Sequence, residues 1–169
     1  MALTIVLRLV HVLSGVVWVG FALFAAFYLM PALAEAGPDG GKVMLALDRR
    51  NLLTTIPVVA LLTVLSGIWL YLRAAHLAPG FGASRMGITL GIGGAVAIVA
   101  LLIGVSVISP SMNRAVAAVK QASQATADEE RQALLSQATN LRVRAAGAAR
   151  LASLLLIVAA AAMAIGRYV

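Results

Sequence analysis

Residues 3–31 read LTIVLRLVHVLSGVVWVGFALFAAFYLMP, and the fold turns on this stretch. It exceeds the roughly 20 apolar residues that an α-helix needs to cross ~30 Å of hydrocarbon. Wound at about 100° per residue, it gathers Thr4, Arg8, His11, Ser14, Gly15, Trp18, Ala22 and Ala25 on one stripe roughly 120° wide. Val, Leu, Phe and Ile occupy the other faces. A spanning helix with that asymmetry turns one side to lipid and the other to protein or a ligand. The tripeptide Ala32-Leu33-Ala34 has the small-residue look of a signal-peptide cleavage site. The apolar run before it is longer than the ~7–15 residues of a signal-peptide core, so the segment reads as a retained helix.

Composition agrees with a membrane setting. Of 169 residues 62% are hydrophobic and only 11% charged, and the mean hydropathy is +1.01. Such a chain is a membrane protein with room for one compact bundle and no separate globular domain. There is no cysteine, which excludes disulfides, thiolate metal sites, iron–sulfur clusters and a cysteine nucleophile. The net charge of +7 does not point to nucleic acid, because the basic residues cluster at span ends, where they meet headgroups and set orientation.

Further spans follow at about 52–72, 86–108 and 145–165. Gly37-Pro38-Asp39-Gly40-Gly41 is the strongest turn signal. Pro57 falls inside the second span, where neighbouring helices can re-satisfy the freed carbonyl. Residues 74–85, with Pro79-Gly80-Phe81-Gly82, read as a short loop. In the third span Gly87, Gly91 and Gly94 have small-xxx-small spacing, which favours close helix approach. Pro31 and Pro110 each follow an apolar span. Thr126 and Glu129 have capping-box spacing, so a helix starts near Ala127 and runs unbroken into the fourth span. The expected fold is all-α: an integral membrane four-helix bundle with two helical hairpins on one face. It forms a single domain over 1–169, readable as two tandem helix-pair repeats, 1–75 and 86–169. The tetrapeptide VLSG occurs at 12–15 and again at 64–67; it does not fit that repeat and reads as coincidence.

With four spans, both termini share one side with the loop after span two. That side holds Arg8, Arg73, Arg85 and Arg167, against nine Lys and Arg on the other: Lys42, Arg49, Arg50, Arg114, Lys120, Arg131, Arg142, Arg144 and Arg150. The positive-inside rule therefore puts loops 31–51 and 110–144 in the cytoplasm and both termini outside.

Candidates for chemistry are few. The two histidines are His11, inside span one, and His76, just past span two. An intramembrane ionisable residue is a functional candidate by default, and neutral imidazole is a good ligand for haem iron or copper. The competing reading of His11 is structural: a neutral ring hydrogen-bonded to Ser14 or to a facing backbone carbonyl. His76 reads equally as an interfacial loop residue. Arg8, one turn from His11, either snorkels to headgroups or pairs with an acidic cofactor group such as a haem propionate. Trp18 lies two turns from His11 on the same stripe and either packs the bundle core or stacks on a cofactor. No span contains a carboxylate, which argues against a buried acid/base pair. The methionines are scattered in sequence without a Met-x-x-Met cluster.

The stretch LRLVHVLSGVVWVGFALFAAFYLMPAL (residues 7–33 at its core) resembles the first span of a group of bacterial four-helix membrane families. They share a His-Val/Ile…Gly…Trp-x-Gly span ending in proline. The group includes the copper resistance protein D (CopD) family, the HemJ-type protoporphyrinogen oxidases, membrane-bound urate oxidases and predicted integral membrane proteins of unassigned role. By length and texture this chain looks most like the last. The resemblance implies a bacterial inner-membrane protein and places His11 where HemJ-like proteins have a haem-ligating histidine. HemJ-like third spans carry a lysine, whereas residues 86–108 here have no Lys, Arg or His, so oxidase activity does not carry over. Three arrangements stay open: five-coordinate haem b on His11, a site closed by His76 or a methionine, or a relative without the cofactor. The functional expectation is a haem-b-binding redox or haem-handling protein, with Arg8, Ser14, Trp18 and His76 around His11. The alternatives are a non-catalytic accessory subunit, packed in a homo-oligomer or larger membrane complex, and a copper-handling protein using His11 and His76.

Overall fold

The computed structural model describes residues 2–169. Five helices account for nearly all of them: α1 (Ala2–Glu35), α2 (Pro38–Arg49), α3 (Leu52–Leu77), α4 (Arg85–Ala122) and α5 (Asp128–Tyr168). No strand occurs among the described residues. Helices α1, α3, α4 and α5 are each long and apolar enough to cross a membrane, and the fold is the expected all-α bundle. At 1.5 Å per residue α5, with 41 residues, is about 60 Å long. It therefore reaches far past the ~30 Å hydrocarbon layer.

The spans are longer than the sequence suggests because neither Pro31 nor Pro110 ends a helix. Proline lacks an N–H, and its ring collides with the carbonyl four residues back in a regular α-helix. Each proline is preceded by one π-helical turn, Ala25–Leu29 and Gly104–Ile108. The residue before it donates five residues back, Met30 N–H to the Ala25 carbonyl and Ser109 N–H to the Gly104 carbonyl. Widening the turn by one residue lets the chain pass the proline without breaking. The two hairpins are thus extensions of the spans themselves, not separate pieces.

Other local expectations also shift. The chain reverses at Ala36–Gly37 alone, with Gly37 at φ 52°. Pro38 then opens α2 at its first turn, where a missing N–H costs nothing. The capping box does not form: Ala127 is the cap residue and no side chain caps the helix. Arg131 serves that end instead, donating to Asp128 at 2.9 Å and to the Ala125 carbonyl at 3.1 Å. His76 belongs to the last turn of α3, which continues to Leu77.

Most interhelical contact lies within two pairs, α1 with α3 and α4 with α5. The pairs join through a core of Trp18, Ala60, Ala100, Ala152 and Leu156, and through the buried Ser153 hydroxyl donating to the Ala22 carbonyl at 3.0 Å. A second core of Leu33, Met44, Met112, Val116 and Ala145 ties α2 to the extensions of α1, α4 and α5.

Candidate functional site

The polar stripe of α1 faces α3. His11 Nδ1 lies 2.8 Å from the Thr63 carbonyl oxygen. A carbonyl can only accept, so Nδ1 carries a proton and donates it across to α3. Thr63 Oγ1 has two acceptors for its one proton, Ser14 Oγ at 2.8 Å across the interface and the Val59 carbonyl at 2.9 Å on its own helix, and Ser14 Oγ donates to the Val10 carbonyl at 2.6 Å. Ser66, 4% exposed, stands 3.5 Å from His11 Nδ1 and donates to the Leu62 carbonyl at 2.6 Å. Each hydroxyl has an acceptor for its one proton, so the cluster closes as a latch between the helices. The ring lies over Gly67: a Cβ there would stand 2.7 Å from His11 Cε1, so the imidazole fits only because this residue is glycine.

Of the two structural partners for the His11 ring, the facing carbonyl is the one it uses; the Ser14 hydroxyl lies 3.4 Å from the His11 backbone carbonyl instead. Thr63, Ser66 and Gly67, at i, i+3, i+4 spacing, read in the sequence as one polar and small stripe of the second span from which His76 is rotated away; what the sequence does not show is that this stripe meets His11. One signal did exist. The VLSG at 12–15 and the VLSG at 64–67 share this interface, Ser14 and Gly15 meeting Thr63 and Ser66 and Gly67 meeting His11.

The other expected site residues do not gather at His11. Trp18 is 7% exposed and packs in the core with Ala60 and Ala152. Arg8 is exposed and forms no ion pair among the described residues. His76 is exposed and lies nine residues beyond Gly67 on α3. Nine residues are about 13 Å of rise and about half a turn of rotation, so His76 faces away from His11. No group of three or more His, Cys, Asp or Glu is placed to hold a metal among the described residues.

A second feature is invisible in the sequence. A cavity of about 130 Å³ lies where the two helix pairs meet, walled by Trp18, Ala60, Ala100, Gly104, Ala152 and Leu156 among others. His11 is not on its wall. Met30, Met44 and Met112, far apart in the chain, converge on it as adaptable thioether lining.

Outside the bilayer-spanning region, Arg142 tucks its guanidinium beside Gly41. Its Nε is buried without a partner among the described residues. Burial lowers the pKa of this arginine from its ordinary value.

Comparison with protein-family models, curated proteins and solved structures finds no match. The chain's own geometry therefore carries the functional reading.

Proposed function

We propose that this multi-pass membrane protein presents His11 as a ligand, and that the ligand is bound through Nε2 to haem b. The observation that carries this reading is the Nδ1 donation to the Thr63 carbonyl. Histidines that ligate metals almost always give their other ring N–H to such an acceptor, which fixes the tautomer and raises ligand basicity. His11 alone would hold the group through Nε2, because His76 is turned away. A bound haem b would supply one-electron redox chemistry or be carried as cargo. The protein's part would be to hold the imidazole over Gly67 with its Nδ1–H given to the Thr63 carbonyl. Arg8, one turn away and exposed, is available to an anionic propionate.

The membrane is proposed to be a bacterial inner membrane. The nine-to-four distribution of Lys and Arg supports cytoplasmic placement of α2 and the extended ends of α4 and α5.

The test is the optical spectrum of protein purified from haem-replete cells. A Soret band that is lost in His11→Ala and kept in His76→Ala is expected. A colourless protein that still folds as a bundle overturns haem binding and leaves the latch as a purely structural device. That result favours the accessory-subunit reading, which one observation supports independently. Gly20 and Gly94 face open space with no neighbour within 4 Å, leaving room for a helix of another subunit.

A further inference from the structure

We propose that the cavity between the two helix pairs binds a single hydrocarbon chain, acyl or isoprenoid, that enters sideways from the bilayer between α3 and α4. The inference does not rest on His11. On the outer surface a groove of about 290 Å³ runs between these helices, lined by Pro57, Val58, Leu61, Leu101, Leu102 and Val105. Three of those residues, Pro57, Leu101 and Val105, also line the inner cavity. Groove and cavity therefore meet at one shared wall.

Three features make this wall the place where a chain passes. The α3–α4 contact is sparser than either α1–α3 or α4–α5, so this seam holds less packing to disturb than the seams within the two pairs. The α4 backbone widens at this level into its π turn at Gly104–Ile108, and α3, though continuous, carries Pro57, which has no N–H to donate to the helix. Gly104 itself has nothing within 4 Å of where a Cβ would stand, so the inner wall is recessed behind the opening.

Chemistry selects the occupant. The walls of cavity and groove carry no titratable side chain. A site of about 130 Å³ with almost wholly apolar walls offers a water few polar partners and has room for a short segment of hydrocarbon chain. Both α3 and α4 are membrane-spanning candidates at this point, and the molecules available to the groove are the chains of the bilayer.

Trp18 gives the readout, since it lines the cavity and is 7% exposed. In a Trp69→Phe background it is the sole tryptophan. The protein is reconstituted in vesicles of phosphatidylcholine with brominated acyl chains, and separately in ordinary vesicles doped with a brominated isoprenoid alcohol. Loss of Trp18 emission is expected in at least one arm, and the arm identifies the source of the chain. Gly104→Leu, which fills the recess, should restore emission, whereas Gly94→Leu, which points into open space away from the cavity, should not. Ala60→Leu fills the same space from α3 and serves if Gly104→Leu fails to fold. Unquenched Trp18 in both arms overturns the proposal, and so does quenching that survives the filling substitutions.

Discussion

Where α1 meets α3, the helices are joined by polar groups: His11 to the Thr63 carbonyl and Thr63 to Ser14, with Ser66 close by. Where α4 meets α5 there is no such bond, and small residues do the work. A Cβ on Gly93 would stand 2.9 Å from the Ala162 Cβ and 3.3 Å from the Ala159 carbonyl oxygen, and one on Gly166 would stand 2.8 Å from Leu90. In lipid there is no hydrophobic drive between apolar helices, and these are two of the available solutions: hydrogen bonds as glue, or close backbone approach for dispersion. The difference teaches where function can reside. The dry pair leaves no polar atom to spare, while the latched pair places an imidazole nitrogen beyond the needs of its own packing.

The largest effect is expected from breaking the dry pair. Gly93→Val pushes methyl groups against Ala162 and against backbone, neither of which can swing away. Overpacking of this kind costs about 1–3 kcal/mol, read as a lower melting temperature by circular dichroism in detergent. Gly67→Ala is the matched change in the latched pair. It meets only the His11 ring, which can rotate aside, so stability should fall less while His11 loses its bond to Thr63. Nitrogen chemical shifts of the imidazole would report the lost tautomer preference. Equal destabilisation by both substitutions would mean that the two interfaces do not differ in the way their contacts suggest.

A smaller effect is expected within the latch. Interhelical hydrogen bonds in membranes average about 0.6 kcal/mol, because the separated helices find other partners. Thr63→Val and Ser14→Ala, made singly and together, should show a coupling of about that size in a double-mutant cycle. The Thr63 carbonyl remains in both variants, so His11 should keep its Nδ1–H tautomer. A coupling near zero would reduce the Thr63–Ser14 contact to proximity without bonding.

These interfaces also mark how far the sequence can be read. Hydropathy located all four spans, and the unbroken run from residue 127 correctly joined the second hairpin to the last span, because both depend on local composition. Pro31 and Pro110 read as span ends in the sequence but lie within continuous helix, since a π turn is a response of the backbone to the proline and leaves no composition of its own. Among the glycines, 87 and 91 stand four apart and do face neighbours, the Phe81 backbone and Tyr71, but 94 stands only three from 91 and faces open space, and it is Gly93 that makes the close approach to α5. Periodicity defines faces but not which face meets which neighbour. The VLSG pair and the convergence of Met30, Met44 and Met112 fail to register for the same reason. They are relations between distant segments, and a single sequence displays such relations only as repetition or scatter.

The weakest link expected anywhere between the two halves is an ion pair. Lys120 of α4 donates to Asp48 of α2 at 2.8 Å, whereas the other two ion pairs among the described residues are local, at i,i+3 spacing within one helix. The Lys120 side chain is 57% exposed, so water and salt screen it, and pairs of this kind are worth about 0.5 kcal/mol. Asp48→Asn should therefore lower the melting temperature slightly at low ionic strength and not at all near 1 M salt, where the Debye length falls to ~3 Å. A loss that persists at high salt would mean that Asp48 matters through packing against α4 and not through its charge. The α2 hairpin would then count as part of the rigid bundle, held by the Met44 and Met112 core rather than by anything that salt can reach.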